Sequence, residues 1–93
     1  MSEPTIRIRV IAPDLWRERK MEFELTTSVG YIKRTALPEL LLKEEVDPAA
    51  FYVEYFEKEV LDEGQTLADL GITAGGVLSI RQYDVDHPPP FEG

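Results

Sequence analysis

Catalysis needs a nucleophile, a base and an orienting group converging on one point, and this 93-residue chain offers one histidine and no cysteine. His87 stands beside Pro88-Pro89-Pro90 near the end of the sequence, where a catalytic or metal role would require that segment to fold back on the rest. The acids Glu57, Glu59, Asp62, Glu63 and Asp69 suggest a cation site, but the EF-hand spacing with its obligatory glycine is missing. They read as solvated loop acids. No catalytic residue, metal site or cofactor is expected, and the chain reads as no enzyme.

Recognition is the chemistry that remains. Trp16 lies among Asp14, Arg17, Glu18 and Arg19, in a segment where nothing periodic requires burial. Two readings stay open: an indole anchoring a protein interface, or one folded back over the edge of its own core. Tyr52 and Tyr55 pose a similar question. Alternation with Phe51 and Val53 sends Tyr55 inward and Tyr52 outward, free for a partner.

Composition narrows the partner class. Apolar residues make up 43% of the chain, enough for one compact core, and without disulfides or thiolate metal sites packing must hold it. The net charge of −8 is uneven. Residues 1 to 34 carry seven Lys/Arg against five acids, whereas residues 39 to 69 carry ten acids against Lys43 and Lys58. So little basic surface argues against nucleic acid. No run approaches the roughly 18 apolar residues of a membrane span, and no basic segment leads into an apolar one at the start. A monomer free of membranes, in the cytoplasm, is the expectation.

The elements that must carry these residues follow from periodicity. Thr5 to Ile11 alternates, placing Ile6, Ile8 and Val10 on one face and Thr5, Arg7 and Arg9 on the other. Lys20 to Leu25 repeats the pattern, with Glu22 and Glu24 facing outward toward Arg7 and Arg9. Ala12 to Arg19 connects this hairpin. Thr26-Thr27-Ser28 offers caps for a helix carrying Val29, Ile32, Ala36 and Leu40 at helical spacing. Pro38 predicts a kink or restart, Gly30 a weakened first turn, and Val46-Asp47-Pro48 the end of the helical part. One or two of Leu40, Leu41 and Leu42 should reach the core.

Phe51 to Phe56 reads as a strand, Glu57-Lys58-Glu59 as a tight turn, and Val60-Leu61 as a short strand. Thr66 to Gly71 describes one capped helical turn with Leu67, Leu70 and Ile72 inward. Ala74-Gly75-Gly76 turns the chain into a last strand, Val77 to Tyr83, with Leu78 and Ile80 inward. Residues 1–4 are read as an extension, 5–83 as the domain, and 84–93 as a Pro-rich tail or linker.

This order resembles the β-grasp fold of ubiquitin and its relatives over about residues 5 to 83. Its most specific part is Leu61-Asp62-Glu63-Gly64-Gln65-Thr66-Leu67-Ala68-Asp69-Leu70-Gly71-Ile72, followed by Leu78 and Ile80, which is similar to the stretch common to ubiquitin-like domains. The resemblance implies an α+β fold: a mixed four- to five-stranded sheet on one main helix, ββαββ with a short helical turn before the last strand. It also implies a helical segment about four residues longer than ubiquitin's. One register places Glu54 at the centre of ubiquitin's main recognition patch, another places Tyr55 there. The last strand contributes Ser79 and Arg81 where ubiquitin has a histidine and a valine, so the apolar patch is not restored.

Ubiquitin-type conjugation uses a free Gly-Gly end, and here Gly75-Gly76 lies inside the domain. The expected function is a non-catalytic protein-interaction module, free-standing or the N-terminal domain of a longer protein. A regulatory domain or small subunit of an enzyme assembly is the alternative, and a conjugated modifier stands third. Candidate partner contacts are Trp16, Arg7, Arg9, Tyr52, Glu54, Tyr55, Ser79 and Arg81.

Overall fold

The computed structural model describes residues 4–43 and 45–84. The readings made for His87 and for the tail beyond Asp84 fall outside these residues. Strand β1 (Thr5–Ala12) buries Ile8, Val10 and Ala12, as its alternation requires. Strand β2 (Arg17–Glu24) begins three residues earlier than expected and pairs with β1 along its whole length, from Thr5 opposite Glu24 to Ala12 opposite Arg17. The connection shrinks to a 3-10 turn at Pro13–Leu15, closed by Trp16 in the left-handed region at φ 55. In this register Arg7 does face Glu22, but Arg9 faces Lys20 and bonds Glu18, while Glu22 accepts from Thr5 Oγ1. The expected pairing of Glu24 with Arg9 is thereby corrected: Glu24 sits opposite Thr5, at the far end of the ladder.

Helix α1 (Val29–Leu41) starts at Ser28, whose Oγ accepts from the Tyr31 N–H. Its buried stripe holds Val29, Ile32, Ala36, Leu37 and Leu40. The expected restart at Pro38 does not occur, and the helix runs through it as one segment. Pro38 removes only the bond that its N–H would give to the Arg34 carbonyl, one turn back in the helix. Leu42, left-handed at φ 58, then ends the helix, five residues before the expected stop at Asp47. The Leu42 and Lys43 N–H groups both donate to the Pro38 carbonyl. Of the leucine run, Leu40 is buried, Leu41 packs partly against the core and Leu42 is exposed.

After a 3-10 turn at Pro48–Ala50, strand β3 (Phe51–Tyr55) turns back through Phe56 and Glu57 into strand β4 (Lys58–Glu59). The reversal sits two residues earlier than expected. Phe56 and Glu57 both hold positive φ, 55 and 65, the pair of left-handed conformations that a tight two-residue hairpin demands, without the Asn-Gly that usually signals it. Helix α2 (Leu67–Leu70) has the expected capping box between Thr66 and Asp69 and ends at Gly71 with φ 72. Strand β5 (Val77–Gln82) buries Leu78 and Ile80.

The five strands form one sheet in the order β2-β1-β5-β3-β4. The last strand lies in the middle, parallel to β1 and antiparallel to β3. Helix α1 and the turn α2 contribute Ile32, Leu37, Leu40 and Leu67 to the core, which packs with Ile8, Val10, Val53 and Ile80 of the sheet. Lys33 enters the same layer, 5% exposed. Its ammonium donates to the Phe51 carbonyl at 3.0 Å and to Glu63 at 2.8 Å, so the buried charge is paired and hydrogen-bonded. Gly30 lets this loop approach: a Cβ there would stand 3.3 Å from the Glu63 carbonyl, whose oxygen accepts from the Gly30 N–H.

Tyr52 corrects an expectation. It faces away from the helix, as alternation requires, but it is only 5% exposed. The Tyr83 ring covers it with centroids 4.8 Å apart, and Tyr83 in turn donates its hydroxyl to Glu59 at 2.8 Å. Tyr55 points to the core side, where it packs partly against the core, and stacks on Phe56. Burial first, and then the hydrogen bond to Glu59 and the charge of Glu59, push the Tyr83 phenol well above its ordinary value.

Three outcomes follow from this packing. Lys33→Met should lower stability by about 1–3 kcal/mol, read from urea unfolding, because it strands the Phe51 carbonyl and the Glu63 carboxylate. Phe56→Asn with Glu57→Gly should raise stability by about 1 kcal/mol in the same assay, by relieving two left-handed non-glycine residues. The raised Tyr83 phenol favours the protonated fold, so its contribution is whole below the ordinary value of 10.0 and drains away as pH climbs past it. Tyr83→Phe should therefore flatten the loss of stability measured above about pH 10.

Candidate protein-interaction surface

One helix covers one side of the sheet, and the other side is built from the alternate residues of each strand. Register places Arg9 and Arg7 of β1, Glu18, Lys20 and Glu22 of β2, Ser79 and Arg81 of β5, and Glu54 and Tyr52 of β3 on this open face. Glu54 stands opposite Ser79, whereas Tyr55 turns to the core. Of the two residues left open by the sequence, Glu54 alone lies on the open face, next to the middle strand.

Side chains on this face bond across the strands. Arg9 is exposed and hydrogen-bonded to Glu18, which holds the Glu18 carboxyl below its usual range. Half-buried Arg81 makes a fork: Nε donates to Glu54 at 2.9 Å and Nη1 to Asp14 at 3.1 Å. The second prong reaches from the central strand to the 3-10 turn of the hairpin. It ties down the loop that presents Trp16. Arg17 Nη1 donates to the Leu40 carbonyl at 3.3 Å, tying the other flank of Trp16 to the end of α1.

Trp16 itself is 95% exposed. The alternative in which it folds over its own core is overturned, because a left-handed backbone at the turn and the two arginine ties point it away from the sheet. It shares a shallow depression of about 530 Å³ with Arg9, Ile11 and Arg81. Of the eight candidates, Arg7, Arg9, Glu54, Ser79 and Arg81 thus share one face with Trp16 at its end. Tyr52 lies beneath that face and Tyr55 behind it. Sequence reasoning missed Asp14 and Glu18, whose roles depend on a register that alternation did not reveal, and it missed the exposed leucines Leu15 and Leu42.

Among the described residues no three His, Cys, Asp or Glu side chains group to hold a metal ion. No helix among them is long and apolar enough to cross a membrane. Gly75 and Gly76 are built into the turn before β5, with the Gly75 N–H donating to Arg7 and the Gly76 carbonyl accepting from Arg9.

No protein-family model matches the chain, and a search of curated proteins finds no match. Solved structures do resemble it. A ubiquitin of Caldiarchaeum subterraneum superposes with a TM-score of 0.71 at 17% identity, covering 88% of this chain and 98% of that one. A de novo design based on ubiquitin gives 0.67 at 19% identity, over 84% and 88% of the two chains. The ubiquitin-like domain of an Arabidopsis thaliana protein gives 0.66 at 18% identity, over 88% and 81%. Identities this low carry the backbone and not the surface. Strand order, the single main helix and these superpositions agree on one architecture: the chain has the ubiquitin-like β-grasp fold.

Proposed function

We propose that this protein is a non-catalytic protein-interaction module, with the hairpin end of its open face as the docking surface. The observation that carries the reading is Trp16. An indole 95% exposed loses apolar burial, and a non-glycine residue at φ 55 stores backbone strain of about 1–3 kcal/mol. Two costs at one position, with arginines clamping both sides of it, make sense as preorganisation for a partner that buries the ring. Tryptophan and arginine are the residues most enriched where interface energy concentrates. A standard interface needs about 800 Å² on each side, which an open sheet face with its hairpin end can supply.

The reading separates binding from folding in a single variant. Trp16→Gly relieves the left-handed strain and removes the indole, so it should unfold at equal or higher urea concentration than wild type, by up to about 1 kcal/mol. The same variant should lose the partners that wild-type protein captures from extracts of its native cells. Leu61→Ser, at the opposite edge of the sheet and equally exposed in kind, should keep them. Capture by Trp16→Gly equal to that of wild type would remove the surface.

A further inference from the structure

The hairpin tip and the end of α1 face each other. Leu15 and Leu41 line one depression of about 260 Å³, together with Leu37, Phe51 and Lys43. Trp16 and Leu42 line another, with Arg17. The same two chain segments therefore wall both hollows, and three exposed large apolar side chains, Leu15, Trp16 and Leu42, gather on them. Leu42, like Trp16, holds a left-handed backbone.

Charge at this end differs from charge elsewhere. Its acids are each engaged: Asp14 by Arg81, Glu18 by Arg9 and Glu39 by Arg19. Arg9, Arg19 and Arg81 are taken up by those acids, and two further cations are not paired with an acid among the described residues. Arg17 bonds only the Leu40 carbonyl, and Lys43 makes no ion pair among the described residues. Glu45 lies in a separate depression with Arg34 and Pro38. In a chain of net charge −8, the groove formed by these hollows carries Leu15, Leu41, Trp16 and Leu42 with Arg17 and Lys43 on its rim, neither held by an acid among the described residues.

We infer that this groove takes a short segment of a protein partner that presents apolar side chains flanked by carboxylates. The inference rests on the reading of the Trp16 end as a docking surface and adds the partner's chemistry. Apolar side chains fill the two hollows, and flanking carboxylates meet Arg17 and Lys43 in a partly dehydrated setting, where such pairs gain over water. A long polyanion is disfavoured because the acidic bulk of the protein repels it. A peptide brings only the few charges that the rim can match.

Trp16 is the single tryptophan of the chain and so reports on its own groove. The probe is a tryptophan-free acetylated peptide, Glu-Leu-Glu-Asp-Phe-Leu-Glu-Glu-Leu, titrated into the full chain while indole emission is followed. A saturable blue shift is expected. Lys43→Glu and Leu15→Ser, both at exposed positions, should each weaken it about tenfold or more, with the far-ultraviolet circular dichroism unchanged. A peptide with every acid replaced by lysine should bind at least about tenfold more weakly. No saturable shift, equal binding of the lysine peptide, or an equal shift with vesicles of anionic lipid would each overturn the inference. Partner loss by Trp16→Gly combined with a silent peptide overturns the acid-flanked segment alone, whereas unchanged capture overturns the surface itself.

Discussion

A five-stranded sheet with one helix has two faces and only one apolar cover, and most of what is particular to this protein answers that imbalance. The covered face is solved in the ordinary way, by Ile, Val and Leu side chains packing from helix and sheet into one core. The other face has no layer to bury it. It is held by side chains that bond one another across the strands: Arg9 to Glu18, Arg81 to Glu54 and Asp14, Tyr83 to Glu59 over Tyr52. Exposed ion pairs of this kind stabilise little, because water screens the charges. Their main effect is geometric, because they fix where the hairpin end points.

The same cross-strand bonding separates this face from the apolar one that ubiquitin offers. Glu54 lies on this face beside the middle strand, with its carboxylate committed to Arg81. Large exposed apolar side chains stand instead at the hairpin end, at Leu15, Trp16 and Leu42.

How much was legible in the sequence depended on whether one residue's environment was set by its own neighbours in the chain. Ile6, Ile8 and Val10, the capping box at Thr66 and Asp69, and the spacing of Val29, Ile32, Ala36 and Leu40 are local signals, and each marked its element. Residues 17 to 19 were unreadable as strand because Arg17, Glu18 and Arg19 are polar on both faces, and pairing with β1 is what makes them extended. Tyr52 was assigned the right side and the wrong exposure, since the ring that covers it belongs to Tyr83, across a ladder the sequence does not display. The turn at Phe56 and Glu57 was displaced for a related reason: its residues defy the usual turn chemistry, and the pairing of Glu54 with Glu59 imposes it. Lys33 carried no local signal of burial, because its partners, Phe51 and Glu63, are remote in sequence.

The position of β5 has a consequence for how such a chain comes into being. It lies between β1 and β3, so during synthesis the first hairpin waits, with one edge open, for a strand that is made last. Nothing shorter than the whole of residues 5 to 82 can close the sheet. Assembly is therefore all-or-none along the direction of translation, and until Val77–Gln82 emerges the edge of β1 presents unpaired backbone N–H and C=O groups to its surroundings.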